Sequence, residues 1–187
     1  MAGSLVLVDT FTVSSSTASV IIGGGSSGSS SLNYAMDDTY DVYKLVITNL
    51  RPSADDAPMM RVTKSGSPDS TSNYDRGHRY IKADSAHSTY GSTDGNKFDC
   101  MTTLDTASTI SGNGIYYLFN FASSSEYSFG TYSEGHIQAA ENTVRALQGG
   151  FTHTVASASD GIFVAFDNYA SGSTIEEGKF SLYGLKK

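Results

Sequence analysis

A chain of 187 residues is long enough for one domain that buries roughly 70% of the surface its unfolded form exposes, so no covalent staple is required. The formal net charge of −7 argues against a phosphate-tracking, nucleic-acid-binding surface, which needs clustered Lys and Arg. The single cysteine, Cys100, excludes an intrachain disulfide framework and offers no zinc pattern.

Period-two alternation dominates from the start. Leu5, Leu7, Phe11 and Val13 share one side of an opening strand, with Val6, Val8, Thr10 and Thr12 on the other. The apolar run Ser19-Val-Ile-Ile leads into Gly23-Gly-Gly-Ser-Ser-Gly-Ser-Ser-Ser, a flexible loop by composition. Asp41 to Thr48 alternates again, with Tyr43, Leu45 and Ile47 together, and a short strand is expected at Met59 to Thr63. From Ser65 to Asn96 the chain is rich in Ser, Gly, Asp, Tyr and His, which predicts a long polar loop or flap of the kind that carries binding. The clearest strand is Gly114 to Phe121, and Tyr127–Tyr132, Phe151–Val155, Gly161–Phe166 and Lys179–Leu185 complete the series. Within 133–150, Ile137, Ala140, Val144 and Leu147 fall at helical spacing before Gly149-Gly150. The strands on either side favour strand for Thr143 to Gln148. Many short strands at close spacing make an all-β antiparallel sandwich or barrel, read as a single domain over 1–187.

Patterns that carry chemistry elsewhere have plainer readings here. Gly23, Gly25 and Gly28 match a dinucleotide fingerprint, and Gly24-Gly-Ser26-Ser-Gly28 matches a serine elbow. Both need a helix to follow, and Ser29-Ser-Ser-Leu-Asn-Tyr does not provide one. His78, His87, His136 and His153 have no short metal-ligand spacing, and Asp37-Asp38-Asp41 and Asp55-Asp56 match no calcium loop. The acidic groups read as turn residues. No catalytic residue, metal or cofactor is expected. Tyr74-Asp-Arg-Gly-His-Arg-Tyr80 reads as a solvated loop, or, more sharply, as a recognition loop, because Tyr and Arg anchor interfaces. The opening Met1-Ala-Gly-Ser-Leu lacks a basic region before a long apolar core, and no stretch reaches the ~20 apolar residues of a membrane span. The chain is expected to be made in a cytoplasm without binding a membrane.

Three stretches carry a family resemblance. Leu5-Val-Leu-Val-Asp-Thr-Phe-Thr-Val opens the chain, Asp38-Thr-Tyr-Asp-Val-Tyr-Lys-Leu-Val-Ile47 begins the second long strand, and Gly178-Lys-Phe-Ser-Leu-Tyr-Gly184 ends the series. In order along the chain these resemble a family of small structural proteins and tail-fibre domains of tailed phages, abundant in marine phages. The resemblance implies a jelly-roll-like sandwich, a place in the virion after assembly in the host cytoplasm, and no catalytic residue. The chain reads as complete in itself, with no appended coiled coil or anchoring domain, as a shell-decorating cement protein would be. The partners expected are further copies, as a homotrimer, and the major capsid protein or another virion protein. A host-surface glycan is the expected partner if the chain serves in a tail or fibre. A carbohydrate-binding module or hydrolase domain is the third reading, disfavoured by the lack of Trp and of a signal peptide. Expected contact residues are Leu7 and Phe11 on the first strand, and Tyr74, Arg76, His78, Arg79, Tyr80 and Tyr90 in the polar segment.

Overall fold

The computed structural model describes residues 4–24, 31–32, 34–83, 87–107, 109–138 and 143–185. Its strands, in chain order, are β1 (Leu5–Thr12), β2 (Ser19–Gly23), β3 (Ser31–Leu32), β4 (Val42–Pro52), β5 (Pro58–Lys64), β6 (Ser67–Pro68) and β7 (Tyr74–Lys82). Then follow β8 (His87–Gly95), β9 (Phe98–Asp99), β10 (Gly112–Phe119), β11 (Tyr127–Gln138), β12 (Thr143–Ala156), β13 (Gly161–Phe166) and β14 (Ile175–Leu185). A three-residue helical turn, Tyr169–Ser171, is the helix of the described residues. The fold is the expected all-β sandwich. Its large sheet runs β1-β14-β4-β10-β11-β12-β7-β8, and its smaller sheet runs β3-β2-β13-β5-β6 with β9 beside β5. All pairings are antiparallel except β2 with β3.

The core follows from alternation. Tyr43, Leu45 and Ile47 of β4, Tyr116 and Leu118 of β10, and Phe180 and Leu182 of β14 point inward from the large sheet. They meet Val20 and Ile22 of β2, Met60 and Val62 of β5, and Ile162, Val164 and Phe166 of β13 in one buried cluster. Strand β13 is buried on both faces, since Phe163 and Ala165 point away from that cluster into a second, smaller one with Met59. This accounts for its unbroken apolar run.

Two expectations change. Segment 65–96 is not one long connection, because Tyr74–Lys82 and His87–Gly95 form an antiparallel hairpin that extends the large sheet through β12. Apolar alternation is missing because β8 is solvated on both faces, so neither set of its side chains needs to be apolar. On β1, a register shift between Leu7 and Asp9 inserts Val8 and reverses the alternation. Leu7 therefore pairs with Tyr183 on the outer face, while Phe11 pairs with the buried Phe180 and packs on the core. The two side chains that simple alternation placed together are on opposite sides of the sheet.

The region between helix and strand readings is strand throughout its described part, with Glu134–Gln138 on β11 paired to Thr143–Leu147 on β12. Ala140 lies outside the described residues, as do Gly25, Ser26 and Gly28 of the glycine-rich patterns. Gly23, which is described, has a positive φ and lies so close to Asp160 and Gly161 that a side chain would strike their backbone.

Candidate interaction surface

The small sheet covers one face of the large sheet. The opposite face carries, among the described residues, every exposed large apolar side chain except Tyr90: Leu5, Leu7, Leu185, Ile115, Tyr117, Phe129, Tyr127, Ile137, Val144 and Ile81. Leu7, on the edge strand β1, is 53% exposed, Val144 on β12 is 55% and Ile81 on β7 is 38%, so exposed apolar side chains recur from β1 to β7. Phe119 and Phe129 stack at its centre with ring centroids 4.9 Å apart, and the Lys44 ammonium lies 5.7 Å from the Tyr117 ring. Ten exposed large apolar side chains on one sheet face are more than the scattered single exposures of an ordinary monomer, which makes this face the candidate interaction surface.

One cross-strand row on this face has an uneven profile. Reading the register from edge to edge gives Gly91, Gly77, Gly150, Thr131, Tyr117, Lys44, Tyr183 and Leu7. Three adjacent strands contribute no side chain, and four contribute long ones. The bare end floors a groove of about 560 Å³ walled by Asp75, Phe129 and Thr131. Packing does not require glycine at two of these places, since a Cβ on Gly77 would meet nothing within 4 Å and one on Gly91 would come no nearer than 3.7 Å. Neither has a positive φ. Gly149, on the covered face, differs: a Cβ there would lie 2.4 Å from the Gly77 carbonyl oxygen.

The β7–β8 hairpin gathers most of the residues that the sequence singled out. Arg76, His78 and Tyr80 alternate onto the same side of β7, and Tyr90 sits opposite His78. The Tyr90 ring stacks on His78 with centroids 5.5 Å apart and planes 23° apart, and the Arg76 guanidinium lies 4.9 Å from the same ring. His78 Nδ1 and the Tyr132 hydroxyl are 3.1 Å apart, and Arg145 lies 5.5 Å from the Tyr80 ring. Burial, and then the Arg76 charge, depress the His78 pKa. Burial opposes the charge of Arg76, but its ion pair with Asp99 outweighs that and holds it charged. Arg79 points the other way, onto the outer face between Gln148 and Thr89. Tyr74 is corrected from contact residue to core residue. It is wholly buried, its hydroxyl donating to the Asp69 carbonyl at 2.7 Å and accepting from the Val62 N–H at 3.2 Å. Tyr90 remains half exposed.

Several buried polar groups were not legible in sequence. The Thr102 hydroxyl lies 2.9 Å from His136 Nε2, and His136 Nδ1 lies 3.3 Å from Glu134 Oε2. This is the order of a nucleophile, base and acid, but the Glu134 and His136 side chains have no exposed surface. The chain of contacts therefore ties the segment after β9 to β11 and gives a substrate no path to the imidazole. Burial raises the Glu134 pKa, against the pull of His136. Asp37 serves its own turn, as expected, whereas the buried Asp56 ties its segment to the distant Asn168. Asp37 accepts from Thr39 N–H and the Tyr34 and Tyr43 hydroxyls, and Asp56 accepts from Ala57 N–H and from the backbone and side-chain N–H groups of Asn168. Among the described residues no group of three His, Cys, Asp or Glu is placed to hold a metal ion. Cys100 is buried, its thiol donating to the Pro58 carbonyl at 3.3 Å.

The chain matches no protein-family model and no curated protein.

Proposed function

We propose that the protein is a non-enzymatic structural subunit of a tailed-phage virion, a decoration or cement protein that stabilises the shell through contacts with itself and with the major capsid protein. One observation carries this reading: an outer sheet face that bears exposed large apolar side chains from six of the eight strands of the large sheet, with no element of the described chain packed on it. Such a face favours association because covering it removes apolar surface from water. The sequence stretches at Leu5, Asp38 and Gly178 point to the kind of assembly. A subunit that binds only the assembled shell shifts the equilibrium toward that shell by mass action. The acidic balance, −7 overall, leaves the packaged nucleic acid an unfavourable partner.

A second reading, a tail or fibre component that touches the host surface, draws on the half-exposed Tyr90 with Arg76 and His78 behind it. An aromatic face backed by fixed polar groups suits a sugar ring or a protein side chain.

Quantitative mass spectrometry of purified particles, scaled to their major shell protein, tests both. Hundreds of copies per particle are expected for a decoration protein. A few to a few dozen copies would move it to the tail, and absence from the particle would overturn both readings.

A further inference from the structure

Resting on that assembly reading, we infer that the outer face of the large sheet packs against the same face of a second copy, as a two-fold dimer in which each bare glycine end receives the other copy's bulky end. The eight-position row is self-complementary. A two-fold axis parallel to the strands, midway between β10 and β11, sets Gly91 against Leu7, Gly77 against Tyr183, Gly150 against Lys44, and Thr131 against Tyr117. Every bare position meets a long side chain and every long side chain meets a bare or short one. A two-fold contact has this requirement built in, because one patch must complement itself.

Face-packed sheets lie ~10 Å apart with interdigitating side chains. A row without side chains on three strands would leave a void against any flat partner, so its occupant must carry tall side chains in register. Glycine is depleted in strands, where it marks close approach of another group. The open space around the Gly77 and Gly91 Cβ positions shows that this approach is not made within the chain.

Area and charge agree with a second copy. The shortest strands of the large sheet have eight residues. Eight strands of that length give a face on the order of 900 Å², comparable with the ~800 Å² per partner of a stable interface. In the two-fold arrangement Lys44 stands over Gly150, one strand and two residues away from Asp75 of the second copy. The ammonium thus approaches a carboxylate twice in the dimer, once on each side of the axis.

The test is the mass of the purified full chain by light scattering and sedimentation velocity. A dimer, twice the 19.8 kDa chain, is expected. Gly77→Leu and Gly91→Leu fill the groove where the chain itself leaves room, so they should fold as the parent does and weaken dimerisation about thirtyfold or more, a hot-spot loss. Leu7→Glu, at the other end of the row, should do the same. A monomeric or trimeric parent chain overturns the inference, as does a dimer unaffected by Gly77→Leu and by Leu7→Glu. The structural role is tested apart from this. A chain monomeric in solution but abundant in particles removes the two-fold contact alone, whereas a dimer absent from particles removes the virion reading alone.

Discussion

The Phe98 and Phe151 rings stack with centroids 3.6 Å apart and planes 8° apart, joining β9 of the small sheet to β12 of the large one. Phe151 also lies over Gly130, where a Cβ would come within 2.5 Å of the ring. Phe151→Ala is expected to destabilise the protein by about 3–5 kcal/mol, and Phe151→Leu by clearly less. Gly130→Ala should also destabilise it, because the ring cannot move without disturbing Phe98. Urea denaturation of the three variants checks the order, and equal losses for Phe151→Ala and Phe151→Leu would show that the stacked pair is not a packing centre.

Tyr74 and Tyr90 lie on the same hairpin, yet their removal should differ sharply. Tyr74→Phe strips the buried Val62 N–H and Asp69 carbonyl of their partner, at a cost of about 1–3 kcal/mol. Tyr90→Ala removes an exposed ring and its contacts with His78 and Arg76, and should cost no more than about 1 kcal/mol. Equal losses in a thermal or urea series would contradict the placement of Tyr74 in the core and Tyr90 on the surface.

The histidines set a pH dependence with a defined sign. Burial, then the Lys64 charge, hold the His153 pKa below its ordinary 6.5, outweighing Asp69 at 3.3 Å, and His78 is depressed in the same direction. A group that stays neutral in the fold but protonates when unfolded stabilises the protein above the unfolded value. That contribution is lost as pH falls through 6.5 toward the folded value. Stability should therefore decline between about pH 7.5 and 5.5. Glu134, raised by burial, acts oppositely: its contribution is present below 4.5 and is lost as pH rises. Urea midpoints across the range, with His153 followed by its imidazole proton resonance, check the sign. A His153 midpoint above 6.5 would reverse it.

Cys100 should be inert in the native protein. Burial pushes its thiol far above the usual range, so almost none is thiolate at neutral pH, and no surface is open to a reagent. Labelling with a thiol-reactive disulfide should be negligible until urea opens the fold, then rise in step with unfolding. Rapid native labelling would mean that the β9 region opens on its own.

The polarity of the hairpin hid it in the sequence, although its chemistry was visible there. Arg76, His78, Tyr80 and Tyr90 form a group of aromatic and charged residues, and the fold brings these four onto one side. Tyr74 belonged to the same group by composition, and only its place at the start of β7, beneath β5, sends it into the core. Phe11 was separated from Leu7 by one bulged residue, which composition does not signal.

By itself the sequence determined the β class, through period-two alternation in strands with one face on the core and through the unbroken apolar run of β13. It likewise determined that Cys100 has no intrachain disulfide partner. Tertiary structure alone decided which alternating face is covered, because that depends on which sheet packs against it and not on the strand's own pattern. The row from Gly91 to Leu7 shows the reason most clearly. Its members come from eight strands distributed along the whole chain, and their adjacency is created by hydrogen-bond register, a long-range property that no local spacing encodes.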